Sequence, residues 1–337
     1  MKKLKFLLGR IFDFNYKAFF KTVGELHKTT GKSRIWLFFD IIGCGLKYGA
    51  GYADYKLCDY HTLTDAQRKT YVSRGMNNSI VAMMNDKAFI NYFEDKRVFN
   101  ETFSEFIKRK WINMQTATEA EFEEFLKGLD YIITKPADAS CGKGIEKLKA
   151  SDYKSASELY GYLKSIGSGI AEECVVQHGD IAALNPYSVN TLRIVTLRAN
   201  GKPNLLYGFM KIGTNKAVVD NMNSGGFVSP IDLESGILTH PGYDMSKNTY
   251  TVHPDTKREI VGFQIPYWSE CAEMCLKAAE KFPEVGYVGW DVAITENGPL
   301  LIEGNPFPGH VFLQLPPHVP DKIGMLPRFK QYIPNLK

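Results

Sequence analysis

Two carboxylates and an amide near the C-terminal end of the chain are the residues best suited to chemistry. The segment LLIEGNPFPG (residues 300–309) ends an apolar run with Glu303 and Asn305, and two prolines then stop the strand. The segment VGWDVAIT (288–295) is also apolar and contains Asp291, and an Asn-Gly turn joins the two runs. This pattern predicts a β-hairpin that ends in polar side chains.

The predicted hairpin brings these three side chains together. Asp291 lies six residues before the asparagine of the turn and Glu303 five residues after its glycine, so the two should be neighbours across the ladder. Adjacent like charges destabilise each other unless a cation lies between them, and Asn305 adds a neutral oxygen on the side of Glu303. Such a set of oxygens suits Mg²⁺, with water and phosphate oxygens completing the shell. The alternative is a solvated hairpin end that turns at Asn305.

A second group of candidate residues surrounds a small, glycine-rich loop. In ITKPADASCGKG (133–144), Lys135 ends an apolar run, and Gly142 and Gly144 flank Lys143. The backbone N–H groups of such a loop can close over phosphates while a lysine supplies positive charge. The spacing is not that of a Walker A loop, and a plain hairpin with a mobile loop would produce the same pattern.

A third group contains an arginine in an apolar segment. Arg193 lies within TLRIVTL (191–197), where an unpaired guanidinium would be costly, so it either forms a structural ion pair or reaches an anion in a cleft. Further along, DNMNSGG (220–226) ends in two glycines, which allow a backbone to approach a ligand closely.

Composition and charge exclude several classes of function. The 337-residue chain is 44% hydrophobic and 23% charged, as in globular proteins, and its formal net charge of +4 is too small to indicate a nucleic-acid partner. Its six cysteines form no C-x-x-C pair, which favours a reduced, cytoplasmic compartment. Basic and aromatic side chains are interleaved over residues 1–21. A helix packed on the protein body explains that pattern, and so does a helix lying on an anionic membrane surface at the inner face.

The distribution of apolar positions predicts an α+β fold. Residues 1 to about 110 have helical spacing. Strands are predicted from about Glu173 onward, including ECVVQH (173–178) and a hairpin that turns at Asn200-Gly201, with one long helix over 267–282. Hairpins mixed with helices in this way are typical of the α+β class.

The order of these motifs resembles the ATP-grasp superfamily, and VNTLRIVTL, GWDVAIT and LLIEGNPFPG resemble its sugar-transfer-associated branch. The resemblance covers about residues 85–309. It implies an ATP-grasp fold, in which two α+β subdomains clasp ATP, preceded by a mainly helical region. The implied parts are a helical N-terminal region (1–84), a small lid subdomain with the glycine-rich flap (85–172) and a large subdomain with the Mg-ATP site (173–337).

The resemblance also implies roles for individual residues that bind the nucleotide. Lys87, in MNDKAFI, and Lys135 are similar to the two phosphate-binding lysines of the superfamily. The flap over the triphosphate resembles residues 139–144, which include Ser140, Gly142, Lys143 and Gly144. The hinge whose backbone binds the adenine edge resembles residues 177–180, which include Gln177, His178 and, as a ribose contact, Asp180.

The resemblance places the reaction itself on the large subdomain. Asp291, Glu303 and Asn305 match the positions that hold magnesium, with two ions expected. Arg193 matches an arginine that steadies the transferred phosphate, and Lys211 occupies a position where many members carry another basic residue.

The activity that the resemblance implies is a ligation driven by ATP. The protein would be an ATP-dependent carboxylate–amine ligase that acts through an acyl phosphate on a cell-surface polysaccharide precursor or a related small molecule. Its substrates would be a small carboxylate and an amine, with a sugar or nucleotide sugar among the candidates. A phosphotransferase that uses the same nucleotide site is one alternative. A nucleotide-binding protein of polysaccharide assembly without catalytic activity is another.

Overall fold

Capping residues define where the N-terminal helices begin and end. In the computed structural model, which describes residues 15–137, 144–217 and 219–336, the side chain of Asn15 accepts a hydrogen bond from the first turn of the first helix. Gly31 ends that helix in the left-handed conformation that favours glycine. Ser33 and Gly49 do the same for the second helix. The helices of this region are α1 (Tyr16–Thr30), α2 (Arg34–Tyr48), α3 (Tyr52–Leu57), α4 (Asp65–Arg68) and α5 (Arg74–Met84).

The middle of the chain builds a small sheet that is covered by two helices. Three short helices lead into it: α6 (Asn91–Glu94), α7 (Lys96–Thr102) and α8 (Ser104–Ile107). The segments that come next are β1 (Trp111–Asn113), α9 (Glu119–Leu126), β2 (Tyr131–Lys135), β3 (Glu146–Lys149), α10 (Ala156–Ser165) and β4 (Ile170–Glu173). The four strands are antiparallel in the order β1-β4-β2-β3, and α9 and α10 pack their buried leucine and phenylalanine side chains on one face.

The rest of the chain forms a seven-stranded antiparallel sheet. Its order is β11-β10-β5-β6-β7-β8-β9. The segments are α11 (Gly179–Leu184), β5 (Leu192–Ala199), β6 (Lys202–Ile212), β7 (Phe227–Ile231), β8 (Gly242–Tyr243), β9 (Thr249–Tyr250), α12 (Trp268–Lys281), β10 (Tyr287–Thr295), β11 (Gly298–Asn305) and α13 (Leu326–Tyr332). Asn200 and Gly201 both have positive φ, so the predicted turn between β5 and β6 is confirmed.

Both faces of the large sheet are covered. Helices α1, α2, α3 and α5 share one buried core with α13 and with the face of the sheet that contains Tyr207 and Tyr287. Helix α12 and residues 89–107 cover the opposite face, around Trp290. The division at residue 85 stays a prediction, but α6 to α8 pack on the core of the large sheet, whereas the small sheet has a core of its own.

One predicted strand is wrong. ECVVQH was expected to be extended within a sheet, but β4 ends at Glu173 and residues 174–178 belong to no strand. The residues after them form α11. His178 caps this helix by accepting a hydrogen bond from Asp180 N. Among the described residues, no helix has the length and apolar character needed to cross a membrane.

Candidate active site

The predicted hairpin exists and its carboxylates are neighbours. Asp291 on β10 lies directly opposite Glu303 on β11, and Arg193 on β5 lies opposite Asp291 on its other side. Three chemically active side chains thus stand in one row across three adjacent strands. The turn lies one residue earlier than predicted, at 296–297, because Thr295 pairs with Gly298. From that pair β11 has one residue more than β10 because it carries a β-bulge: Val292 pairs with Leu301, so Ile302 is an extra residue.

Asp291 is buried and is held by two cations. Arg193 donates to both of its carboxylate oxygens, with Nη2 2.9 Å from Oδ2, and Lys211 Nζ lies 2.9 Å from the same Oδ2. Burial by itself favours the neutral acid, but the charges of Arg193 and Lys211 hold the pKa of Asp291 well below its ordinary value. The sequence predicted a repulsion between Asp291 and Glu303 that only a bound cation would relieve. That prediction is wrong, because protein cations already compensate the charge of Asp291.

A further carboxylate, Asp220, belongs to this cluster and was not predicted. Asp220 Oδ1 lies 3.9 Å from Lys211 Nζ, and Oδ2 accepts hydrogen bonds from the N–H and the hydroxyl of Thr191 at 2.9 and 2.6 Å. Burial raises the pKa of Asp220 in spite of the charge of Lys211. A Cβ at Gly226 would lie 2.4 Å from the carbonyl oxygen of Asp220. Glycine at this position therefore leaves room for the protein's own backbone.

Gly289 explains how Arg193 reaches Asp291. A Cβ at Gly289 would lie only 2.8 Å from Cδ of Arg193. The aliphatic part of the arginine therefore crosses β10 over a position that has no side chain, and its guanidinium meets the carboxylate beyond it. Glycine at this position is required for the ion pair.

Glu303 and Asn305 complete a set of oxygen donors at this edge. Both side chains are partly exposed, and Asn305 Nδ2 donates to Glu303 Oε1 at 3.2 Å, so they share one face as predicted. The carboxylate oxygens of Asp291 and Glu303 and the amide oxygen of Asn305 are hard ligands of the type that Mg²⁺ prefers. In the described parts of the chain no group of three or more His, Cys, Asp or Glu side chains forms a ready-made metal site. The donor set fits a magnesium ion that takes its remaining ligands from water and phosphate.

A second buried ion cluster lies where the two sheets meet. Glu172 on β4 binds Lys135 on β2, accepts from Arg109 Nη2 at 2.6 Å and accepts from Asn100 Nδ2 at 2.9 Å. Although burial opposes ionisation, the charges of Arg109 and Lys135 hold the pKa of Glu172 well below its ordinary value. Lys135, predicted as a phosphate ligand, is thus fixed by a carboxylate that the sequence analysis missed.

Arg109 connects this cluster to the hairpin. Its Nη1 donates to Leu301 O at 2.6 Å and its Nη2 to Ile302 O at 3.4 Å, both on β11 at the bulge. Ile302 directly precedes Glu303, so a continuous chain of contacts runs from Lys135 through Glu172 and Arg109 to the residue beside the predicted metal ligand. The cluster on the small sheet and the cluster on the large sheet belong to one region.

Two of the three Asp-Lys dipeptides of the sequence, at residues 86–87 and 95–96, lie in different surroundings. Lys87 is exposed, in a short turn whose neighbour Asp86 bonds to Glu284 O. Lys96 is partly buried at the start of α7, and its N–H donates to Ala137 O at 3.1 Å, two residues beyond Lys135. Asn100, one turn further along α7 on the same face, binds Glu172. By this spacing Lys96 lies on the same face of α7 as the residue that binds Glu172.

The predicted hinge uses its own backbone groups within the protein. The N–H of His178 donates to Ile294 O at 2.8 Å, that of Gly179 to Glu296 Oε1 at 2.7 Å and that of Asp180 to His178 Nδ1. The side chain of Gln177 is likewise engaged with the backbone around Asn190. Among the described residues, 174–177 donate none of the backbone–backbone hydrogen bonds outside secondary structure.

The remaining predicted residues can be placed briefly. Asp180 has a largely exposed side chain at the start of α11, and its role as a ribose contact stays a prediction. Gly144 has a φ of 71°, and a Cβ there would approach Pro136 to 2.8 Å, so glycine is required where the loop rejoins β3. Ser140, Gly142 and Lys143 lie outside the described residues, and the flap assignment stays a prediction.

Comparison with known proteins agrees with this architecture. The family model for sugar-transfer associated ATP-grasp proteins matches residues 71–331. No curated protein matches the sequence. Similar solved structures include the ADP complex of purK, N5-carboxyaminoimidazole ribonucleotide synthetase, at 12% identity and a TM-score of 0.41, covering 66% of this chain and 47% of that one.

Two further solved structures have comparable similarity. One is the ATP-grasp ligase PsnB with a phosphomimetic variant of its minimal precursor, Mg and ADP, at 12% identity and a TM-score of 0.43, covering 75% of this chain and 61% of that one. The other is D-alanine–D-alanine ligase from Bacillus anthracis, at 10% identity and a TM-score of 0.44, covering 77% and 74%. The chain thus spans about half to three quarters of the length of these proteins. The expected α+β ATP-grasp fold with a helical N-terminal region is confirmed, and because the family model matches most of the chain, the protein belongs to the sugar-transfer associated ATP-grasp family.

Proposed function

We propose that the protein is an ATP-dependent ligase that joins a carboxylate to an amine and releases ADP and phosphate. The observation that carries this proposal is the row of Arg193, Asp291 and Glu303 across three strands, with Lys211 bound to the same Asp291. Such a row combines metal-binding oxygens with fixed cations at one place. That combination suits transfer of a strongly anionic phosphoryl group, in which catalysis is mostly positioning and charge neutralisation.

Asp291, Glu303 and Asn305 are the residues that would hold magnesium. When bound, Mg²⁺ supplies neutralisation of charge on the phosphate oxygens. Arg193 and Lys211 are both buried beside Asp291, and their pKa values are raised by the neighbouring carboxylates in spite of burial. A γ-phosphoryl group can replace part of that negative partner, so these two cations can orient the reacting phosphate without leaving their strands.

The Glu172 cluster would bind the rest of the triphosphate. It holds two cations, Lys135 and Arg109, against the single carboxylate of Glu172, and Lys96 lies on the face of α7 that contacts it. An excess of fixed positive charge is the complement of the triphosphate. We assign the first phosphate contact to Lys96, whose surroundings favour it over Lys87.

The strip at residues 174–177 would bind the adenine edge. It directly follows β4, which carries Glu172, and its backbone donors are not engaged in the described hydrogen bonds. The side chain of Val176 is 78% exposed, which gives an apolar contact for a purine face. The base and the triphosphate would then be bound by adjacent residues of one segment.

The proposed reaction has two steps. A carboxylate oxygen of the substrate attacks the γ-phosphorus of ATP, the bond to the bridging oxygen breaks, and ADP leaves. The amine then attacks the acyl carbon, its proton is lost to solvent, and phosphate leaves with the oxygen that came from the carboxylate. Arg193 and Lys211 stabilise negative charge in the first step, and no side-chain nucleophile is needed.

Isotope transfer tests this proposal. ADP and phosphate release is measured against a panel of amino acids and of nucleotide sugars that bear carboxyl or amino groups, a choice guided by the sugar-transfer description of the family. With an ¹⁸O-labelled carboxylate, the released phosphate should contain one labelled oxygen, and release should require both substrates. A phosphorylated product without phosphate release would instead establish a phosphotransferase, and ATP binding without turnover on any pair would establish a non-catalytic protein.

A further inference from the structure

Helix α2 is apolar on two opposite faces, but the described residues of the protein cover only one of them. Leu37, Ile41 and Cys44 are buried against the other N-terminal helices. Ile35, Phe39, Ile42 and Leu46 lie on the opposite face at helical spacing and are 71%, 66%, 37% and 76% exposed. We call these four residues the α2 stripe. A surface helix normally presents polar side chains to water, so a contiguous apolar stripe of this kind marks an interaction surface.

The apolar surface continues onto α1. Phe20, 58% exposed, stacks on Phe38 with ring centroids 6.2 Å apart, and Phe38 contacts Phe39 of the stripe. Trp36 is 43% exposed beside the stripe, with Lys32 Nζ 4.3 Å from its ring centroid. The exposed patch is therefore rich in aromatic side chains, which lie favourably at the boundary between hydrocarbon and water.

The charges around the patch identify its partner. Basic residues border it: Lys21, Lys28 and Arg34 line the same shallow groove between α1 and α2 as Phe20 and Ile35. The two carboxylates of these helices are already neutralised. Glu25 pairs with Lys56 at 2.7 Å, and Asp40 accepts from Arg68 at 2.8 and 2.7 Å. A second copy of the chain would bring the same basic border against itself, whereas an anionic surface complements it.

We propose that the α2 stripe and its basic border dock the protein on an anionic lipid bilayer. Helix α2 has 15 residues, so it lies in the plane of the interface, with the stripe inserted among the acyl chains and the lysines and Arg34 at the lipid phosphates. Docking of this kind would hold the active site at a membrane surface. The proposal does not depend on the ligase assignment.

Vesicle co-sedimentation of the full chain tests it. Binding is expected to vesicles of phosphatidylcholine with phosphatidylglycerol, to be much weaker to phosphatidylcholine alone, and to fall with salt. Phe39→Ser and Leu46→Ser should each reduce partitioning about tenfold, as removal of one inserted apolar side chain predicts. Ile166→Ser, at a 43% exposed position on the small-sheet side, is the matched control and should bind normally.

Thermal stability of each variant shows that folding is retained, since the substituted side chains are exposed. Sedimentation equilibrium without lipid gives the oligomeric state. Equal binding of the stripe variants and the parent, no binding to anionic vesicles, or a dimer that the stripe variants dissociate would each overturn the proposal.

Discussion

Two buried carboxylates, Asp291 on the large sheet and Glu172 on the small one, are each bound by two cations, yet the clusters around them differ in charge balance. Around Asp291 stand two cations, Arg193 and Lys211, and two further carboxylates, Asp220 and Glu303. Around Glu172 stand Arg109 and Lys135 with the neutral amide of Asn100. The first cluster formally carries three negative and two positive groups, and the second one negative and two positive.

On the proposed function, this difference would divide the binding of Mg-ATP between the two sheets. A cluster with a net negative charge can offer carboxylate oxygens to a metal ion, because its cations are still paired with other carboxylates. A net positive cluster has a cation to give to a phosphate while its carboxylate stays neutralised. On that proposal, the same side-chain types in different proportion would form the metal side and the phosphate side of one site.

The largest effect expected is on folding. Glu172→Gln leaves two buried cations without a counter-charge and should lower the free energy of unfolding by about 3–5 kcal/mol, measured by denaturant titration. Asp291→Asn should cost less, about 1–3 kcal/mol, because Asp220 and Glu303 remain near its cations. Glu124→Gln breaks an exposed pair with Lys127 and should change stability by less than about 0.5 kcal/mol. Equal losses at Glu172 and Asp291 would contradict the difference in charge balance.

The next effect concerns turnover. Glu303→Gln removes one metal-binding carboxylate at a partly exposed position and should lower kcat by about 10²–10³-fold, the range for loss of one preorganised electrostatic contact. Stability should change by less than about 1 kcal/mol, and the Mg²⁺ concentration needed for half-maximal activity should rise. Glu101→Gln, at an exposed position on α7, serves as the control. Normal kinetics in the Glu303 variant would remove this residue from the metal site.

A smaller effect, on ATP binding, distinguishes Lys96 from Lys87 as the first phosphate-binding lysine. Lys96→Met and Lys135→Met should each weaken ATP binding by about 1.5–3 kcal/mol, the range for hydrogen bonds to charged groups. The double variant should depart from additivity by at least about 0.5 kcal/mol, because both side chains contact one ligand. The Lys87–Lys135 pair should be additive, since Lys87 is exposed and lies near Glu284. Coupling at Lys87 with additivity at Lys96 would restore the assignment predicted from sequence.

The smallest effect is on pH dependence. The folded-state pKa values of Glu172 and Asp291 lie below their ordinary values of 4.5 and 3.8. The stability they contribute is therefore fully present above those values and is lost as the pH falls below them. Unfolding titrations from about pH 7 to about pH 3 should show a shallower acid loss in Glu172→Gln than in the parent. Burial lowers the pKa of His318 to about 4. The stability that neutral His318 contributes is therefore lost as the pH falls below 6.5, in the parent and in the variant alike. Parallel curves would show that Glu172 has the same pKa in the folded and unfolded states, against the expected lowering.

The hairpin and its partners show how much could be predicted from sequence. Alternation and turn residues placed Asp291 opposite Glu303 and located Arg193 in a strand, because these features depend on local periodicity. Arg109 carries no such signal: its carbonyl acceptor on Leu301 is 192 residues away in the chain. Glu172 likewise carries no local signal within EECVV, because only the fold brings Lys135 beside it. The charge of a site that joins two sheets depends on long-range packing, which no local pattern records.

The bulge at Ile302 has a consequence for how this hairpin tolerates deletion. In a regular strand, successive carbonyls point to opposite edges, and losing one residue turns every later side chain to the wrong face. Here β11 already contains one residue more than β10 needs, so a chain without Ile302 could pair Leu301 with Val292 and still place Glu303 opposite Asp291. That shorter strand would lack the second carbonyl that Arg109 holds. The extra residue is thus not needed to align the carboxylates, and it adds a second contact between the two sheets beside the one at Leu301 O.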